Sequence, residues 1–391
     1  MTTRRQFLGR AGTAGVAFGS AFLAAGSSAA ADATRTAHAT GERNRAFVTA
    51  HRGRFYAGQH PWRFAGTNTY YLHYKSHFMI DDALGAAAAM GLRAIRVDTF
   101  MDGAGQEDVA IQPEPFRYDE ESFDRIDYTV WKAGQLGLRL IVTLTNNWPD
   151  FGGIPQYATW FDAEHDDFFR RTDIKDCYRA WVRHVLKRRN RYTGMPNTQD
   201  PTVMTWELAN EPRCQSDKSG DTLVEWADEM SRLVKSLAPS QLVAVGDEGF
   251  YGIPSHESYP YSDWEGVAWK RLTALPAVDY GTVHLYPEAW GQAPGWGEPW
   301  IRDHIRDGRK LGKPVVIEEY GIGDQTIRDA LYAAWTGAVE EEGGAGDQFW
   351  LLTGLQDDGT LYPDYDGLRI TYPSATATLL AEHAARMAAK R

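Results

Sequence analysis

Only two cysteines occur in 391 residues, too few for a disulfide scaffold or a cysteine-rich zinc site. Positive charge is in the minority. With 41 Lys and Arg against 52 Asp and Glu the net charge is −11, which argues against nucleic acid or an anionic membrane as a partner. Beyond the N-terminal segment no apolar run approaches the ~20 residues that a spanning helix needs. His-Glu-x-x-His, Gly-x-Ser-x-Gly, phosphate-loop and dinucleotide glycine motifs are all missing. Zinc, serine-hydrolase and nucleotide chemistry therefore have no support, and neither a metal nor an organic cofactor is expected. The chain does have a 43% apolar fraction, enough for a full core, and 14 tryptophans with 19 tyrosines to supply flat apolar surface.

Residues 1–31 read as a targeting segment. Arg4 and Arg5 precede Phe7 and Leu8, a Gly/Ala-rich stretch runs from Ala11 to Ala25, and Ala29-Ala30-Ala31 offers a cleavage site. The order R-R-Q-F-L resembles a twin-arginine signal; an ordinary secretory signal carrying paired arginines is the alternative. Either implies an exported, extracellular protein. Residues 32–45 are polar and alanine-rich and read as a flexible lead-in, leaving 46–391 as one catalytic-sized domain, expected to be monomeric.

From Phe64 onward one arrangement repeats: a short β-branched run, a loop, then a helical pattern. Strands are expected at 64–70, 92–98, 138–145, 203–209, 241–246, 279–286, 313–319 and 347–352. Between them Tyr178, Trp181, Val182, Val185 and Leu186 share one helix face, as do Leu223, Met230, Leu233, Val234 and Leu237. Eight alternating strands and helices in one domain match an α/β fold, the (β/α)8 TIM barrel. Three helices pass to the next strand through a glycine, at Gly91, Gly137 and Gly312, which suits a left-handed C-cap. The connections leaving strands are long, at about 100–119, 146–172, 211–220, 247–264 and 287–298. In a barrel such loops build the active face.

The fourth expected strand ends in W-E-L-A-N-E-P (206–212) and the seventh in I-E-E-Y-G (317–321). A carboxylate at the end of an apolar strand needs a reason, because an unpaired buried charge is costly. Two of them on strands 4 and 7 can face each other across a barrel mouth, the arrangement of the two-carboxylate glycosidases. These motifs, with N-N-W-P-D-F-G-G-I-P-Q-Y (146–157), D-P-T-V-M-T-W-E-L-A-N-E-P-R-C (200–214) and V-G-D-E-G-F-Y-G (245–252), resemble the glycoside hydrolase family 5 enzymes. Within that family they resemble the plant- and fungal-type endo-β-1,4-mannanases, over about residues 64–371.

The resemblance implies a retaining hydrolase acting on β-mannan or manno-oligosaccharides, with Glu211 as acid/base and Glu319 as nucleophile. The family motif puts the nucleophile directly before an aromatic residue and glycine, which selects Glu319 over Glu318. Strand alternation agrees, since neighbouring residues point to opposite faces, so Glu318 is expected behind the strand, salt-bridged or solvated. By the same resemblance Arg96 pairs with the nucleophile, Asn210 holds the sugar 2-hydroxyl, and His284 and Tyr286 form the strand-6 pair, Tyr286 bonding the nucleophile. Trp350 forms an apolar floor; Asn147, Trp148, Arg213, Asn68 and Tyr70 position substrate. Tyr261, Trp264, Trp290, Trp296 and Trp300 either extend the groove or, the better reading, cover the barrel core.

The chain departs from the family at Asp98 and over residues 72–77, where added charge and bulk at the glycone end would close the groove and give an exo-acting β-mannosidase. An endo-β-1,4-glucanase also fits these motifs. A non-catalytic carbohydrate-binding barrel is disfavoured by the intact glutamates with Arg96 and Tyr286. Cys177 and Cys214 fall near one barrel face and read equally as a disulfide or as two buried thiols. The acidic run Asp357, Asp358, Asp364 and Asp366 lacks calcium-loop spacing and reads as a solvated loop.

Overall fold

The computed structural model describes residues 46–390; the targeting segment and the lead-in lie outside the described residues. A three-stranded antiparallel sheet comes first, formed by β1 (Val48–His51), β2 (Arg54–Ala57) and β3 (His60–Trp62). No strand is expected from the sequence before Phe64, because these three are too short to show a period. The local signal is the Arg52-Gly53 pair, both with positive φ (49° and 72°), which makes a tight hairpin turn matched to strand twist. The sheet plugs the barrel's lower end: Val48, Phe55 and Trp62 pack with Phe64, Ala94, Ile141, Met204 and Val316, and Phe55 meets Tyr280 edge-on at 5.3 Å.

All eight expected barrel strands form, each near its expected place. They are β4 (Phe64–Asn68), β5 (Ala94–Asp98), β6 (Arg139–Thr143), β7 (Val203–Glu207), β8 (Leu242–Ala244), β9 (Gly281–Leu285), β10 (Val315–Tyr320) and β11 (Gly346–Phe349). The ladder is parallel throughout and runs β8-β7-β6-β5-β4-β11-β10-β9. The seam between β8 and β9 is joined by single hydrogen bonds instead of a ladder: Asp279 N–H to the Val243 carbonyl (2.8 Å), His284 N–H to the Glu248 carbonyl (3.0 Å) and the Thr282 hydroxyl to the Asp247 carbonyl (2.9 Å). These strands close a (β/α)8 barrel.

The helices bury the expected faces. In Thr172–Lys187 the residues Tyr178, Trp181, Val182, Val185 and Leu186 are buried, and in Asp221–Leu237 Leu223, Met230 and Val234. Gly137 and Gly312 are left-handed caps at φ 71° and 72°, which lets the chain turn straight into the next strand. The opposite end carries the long connections. The one after β6 is not all loop, since it contains the helix Gly153–Trp160. No helix among the described residues is long and apolar enough to cross a membrane.

Candidate active site

Beyond Glu207 the chain leaves β7 in a turn held from three sides. Asn210 N–H donates to the Thr145 carbonyl (2.8 Å), Glu211 N–H to the Gly246 carbonyl (2.8 Å), and the Tyr178 hydroxyl to the Leu208 carbonyl (2.6 Å). Glu211 takes φ 52°, a conformation that a Cβ disfavours and that a following proline disfavours further; strain of this kind persists only where surroundings enforce it. Gly246 is part of that enforcement. At its φ of 88°, a Cβ would lie 2.1 Å from the Ala209 carbonyl oxygen and 2.7 Å from the Glu207 side chain, so V-G-D admits only glycine there.

The second glutamate pair departs from strict alternation. Against β9 the register of β10 slips between Ile317 and Glu319, with Ile317 opposite Val283 and Glu319 opposite His284. This is a β-bulge, and it turns Glu318 and Glu319 toward the same barrel interior. Glu318 is therefore not behind the strand. It is fully buried, 3.9 Å from Arg96 Nε and 3.8 Å from His284 Nε2, and neither of its oxygens accepts a hydrogen bond.

Arg96 is the hub of the site. Its Nε lies 3.1 Å from both Glu207 carboxylate oxygens, Nη1 pairs with Glu319 and lies 3.2 Å from Asn68 Oδ1, and Nη2 lies 2.8 Å from Asn210 Oδ1. Five donors in a rigid fork suit this partner set. The Tyr286 hydroxyl donates to Glu319 Oε2 (2.7 Å), His284 Nδ1 lies 2.7 Å from Glu211 Oε1, and Trp148 Nε1 donates to Glu211 Oε2 (2.6 Å). Ligand atoms of Glu211, His284 and Glu319 all lie within 4.8 Å of one another. Among the described residues this trio is the one group close enough to hold a metal ion, yet its oxygens already engage Arg96, Tyr286, Trp148 and His284.

Burial alone would raise Glu211, but the bonds and charge of His284, the Trp148 donor and the Arg213 charge hold it down to about 2. Glu319 is raised by burial, against the lowering charges of His284 and Arg96. For His284, burial is outweighed by Glu319, Glu211 and Glu318, so its imidazole is raised well above the ordinary range. Across their 2.7 Å contact both shifts favour a proton on the His284 imidazole over one on the Glu211 carboxylate.

Burial and the Glu207 charge push Glu318 up to about 8, while in the unfolded chain it ionises near ~4.3. The native state thus holds a proton that the unfolded state releases. That contribution to stability is fully present below about pH 4.3 and is lost as pH rises through about 8. Glu318→Gln, isosteric with the protonated acid, is expected to gain stability relative to wild type between about pH 5 and 8. Thermal midpoints at both ends check this; a pH-independent difference would show that Glu318 is ionised.

These residues line a cleft of about 960 Å³. Of the residues expected in the site, Asn68, Tyr70, Arg96, Trp148, Asn210, Glu211, Arg213, Tyr286, Glu319 and Trp350 reach its wall, and His284 lies buried beneath it. Trp350 and Tyr70 stack at 5.6 Å. Arg213 is held on Glu248 by two 2.7 Å bonds, with its guanidinium 4.9 Å over the Trp148 ring. Asn147 is the exception. Its Oδ1 accepts from the Arg213 backbone (3.1 Å) behind the wall, and Asn146 reaches the cleft in its place, accepting from Asn210 Nδ2 (3.0 Å).

Asp366 is not merely solvated. It lines the cleft and accepts from Trp350 Nε1 (2.7 Å). Cys177 and Cys214 are separate buried free thiols, one taking a bond from Gln112 Nε2 (3.4 Å) and the other from Arg170 Nη2 (3.7 Å). Sequence reasoning gives no role to Glu248 or Glu107; Tyr74 and Lys75, from the 72–77 segment expected at the glycone end, line the cleft together with Glu107. The signal for Glu248 is present, a charge inside V-G-D-E-G directly after a strand.

The comparisons agree with this geometry. A barrel whose mouth brings the carboxylates of Glu211 and Glu319 together is the arrangement of the two-carboxylate glycoside hydrolases, and the sequence profile of the family 5 β-mannosidase-like glycoside hydrolases matches residues 45–340. The chain belongs to that family. It is 36% identical to mannan endo-1,4-beta-mannosidase 8 of Oryza sativa subsp. japonica over 300 residues, covering 71% of this chain and 79% of that one. The endo-beta-1,4-mannanase of Thermotoga petrophila is 44% identical with a TM-score of 0.80, covering 84% of this chain and 77% of that one. The endo-1,4-beta-mannanase of Rhizomucor miehei is 34% identical with a TM-score of 0.83, covering 88% and 100%. A family 5 mannosidase of Rhizomucor miehei (19% identical, TM-score 0.71) and an exo-beta-1,4-mannosidase from an Opitutaceae bacterium (16%, 0.63) share the fold.

Proposed function

We propose that this protein is an exported retaining endo-β-1,4-mannanase. The observation that carries the mechanism is the closeness of Glu211 and Glu319, one carboxylate oxygen of each lying within 4.8 Å of the other. Such closeness favours the retaining arrangement, with carboxyls ~5–5.5 Å apart, over the inverting one at ~6.5–9.5 Å. Arg96 and Tyr286 orient Glu319 for attack on the anomeric carbon. Glu211 takes a proton from His284 Nδ1 at 2.7 Å, passes it to the leaving oxygen and is left ionised. Once Glu319 is esterified its charge is gone, which lowers the proton affinity of Glu211, so the same residue then deprotonates the attacking water.

The cleft continues on both sides of the glutamates. Trp148, Arg213 and Tyr259 lie on the side of Glu211, where a leaving group sits; Tyr70, Tyr74, Lys75 and Glu107 lie on the other. This supports internal cleavage of a chain, as does the naming of relatives with 34–44% identity as endo-enzymes. The observation favouring an exo reading is the Lys75–Glu107 ion pair, which joins the loops after β4 and β5 at the glycone end. A short time course on mannohexaose decides between them. Early mannobiose, mannotriose and mannotetraose are expected; mannose alone would establish exo action, and turnover of cellohexaose instead would move the enzyme to glucans. Export belongs to the same reading, and the N-terminus of protein recovered from culture medium checks it.

A further inference from the structure

Trp264 differs from the other loop tryptophans. Trp290, Trp296 and Trp300 pack on one another with ring centroids 4.8–6.0 Å apart, covering the core as expected. Trp264 is 60% exposed and has no ring–ring contact among the described residues. Lys218 Nζ stands 3.9 Å from its ring centroid and has no carboxylate partner among the described residues, so one face of the indole is braced by a cation. The ring borders a depression of about 330 Å³ shared with Gln215, Lys218, Tyr259 and Glu265.

Two features tie this depression to the catalytic cleft. Tyr259 lines both. Glu265 braces the floor between them, accepting from the Tyr259 hydroxyl (2.5 Å) and Gln215 Nε2 (2.7 Å) while pairing with Arg213 (3.2 Å). The row Trp148, Arg213, Tyr259, Trp264 therefore starts at the acid/base and runs outward on the leaving-group side.

We propose that Trp264, with Gln215 and Lys218, forms an outlying subsite for a pyranose unit on the leaving-group side of a bound mannan chain. The inference rests on the mannanase reading above. A pyranose presents a C–H face to an aromatic ring and hydroxyls at its rim, and the Lys218 ammonium and Gln215 amide supply donors and an acceptor beside the ring. Lying outside the chemistry, the subsite strengthens the binding of long chains only.

The test is kcat/KM for mannotetraose and mannohexaose with wild type, Trp264→Ala and Trp264→Phe. Trp264→Ala is expected to lose about three- to tenfold on mannohexaose and nothing on mannotetraose, with Trp264→Phe recovering most of the loss. Equal loss on both substrates, or no loss on either, overturns the subsite while the mannanase reading stands. Failure of wild type to cleave either substrate overturns the mannanase reading and the subsite with it.

Discussion

Glu319→Ala is expected to lower kcat on mannan by on the order of 10⁴-fold or more with the fold intact, since Arg96 keeps Glu207 as a partner. Thermal midpoint and circular dichroism establish the fold; reducing-sugar release measures the loss. Glu211→Ala is expected to lose about 10²- to 10⁴-fold, and less on aryl mannosides whose leaving groups need no proton. Azide separates the two roles. In Glu319→Ala it enters from the vacated nucleophile side and yields the α-mannosyl azide. In Glu211→Ala it attacks the mannosyl-enzyme from the opposite face and yields the β-product. Near-full turnover by either variant would remove that residue from the mechanism. Glu318→Gln is expected to keep far more activity than Glu319→Gln, and the reverse order would exchange the two assignments.

Arg96→Met is expected to cost about 3–5 kcal/mol of stability together with nearly all activity. Arg96 and Glu207 are 3% and 0% exposed, and breaking a buried pair leaves the remaining charge without compensation. The guanidinium also sets Glu319, Asn68 and Asn210 relative to one another, so catalysis is lost even in the fraction that folds. Arg96→Lys is not expected to rescue either property, because three donors on one ammonium cannot span Glu207 and Glu319 and also reach Asn210. Chemical denaturation and activity measured on the same preparations check both. A stability change below about 1 kcal/mol would mean that the carboxyls around Arg96 are neutral in the native state.

Some features were legible because they are local. Helix faces follow from apolar spacing, the C-caps from single glycines, and the barrel from eight β-branched runs alternating with helical patterns. The two glutamates showed because charge at the end of an apolar strand is conspicuous. Asn147 and Asn146 were not separable, since which of two adjacent loop amides faces a cleft depends on the turn that carries them. The two cysteines left the disulfide question open because a bridge depends on the distance between Cα atoms.

The sequence by itself determined the architecture, the family and the pair of carboxylates, since periodicity, motif order and residue type need no neighbours to be read. Only the tertiary structure decided how those carboxylates are charged and held. The bulge that turns Glu318 inward arises from the pairing of β10 with β9, and the left-handed backbone at Glu211 is enforced by contacts from Thr145 just after β6, Gly246 and a helix. The raised proton affinity of His284 comes from three glutamates brought together from the turn after β7 and from β10. Each is set by distances between residues far apart in the chain, and electrostatics in a buried site follows those distances.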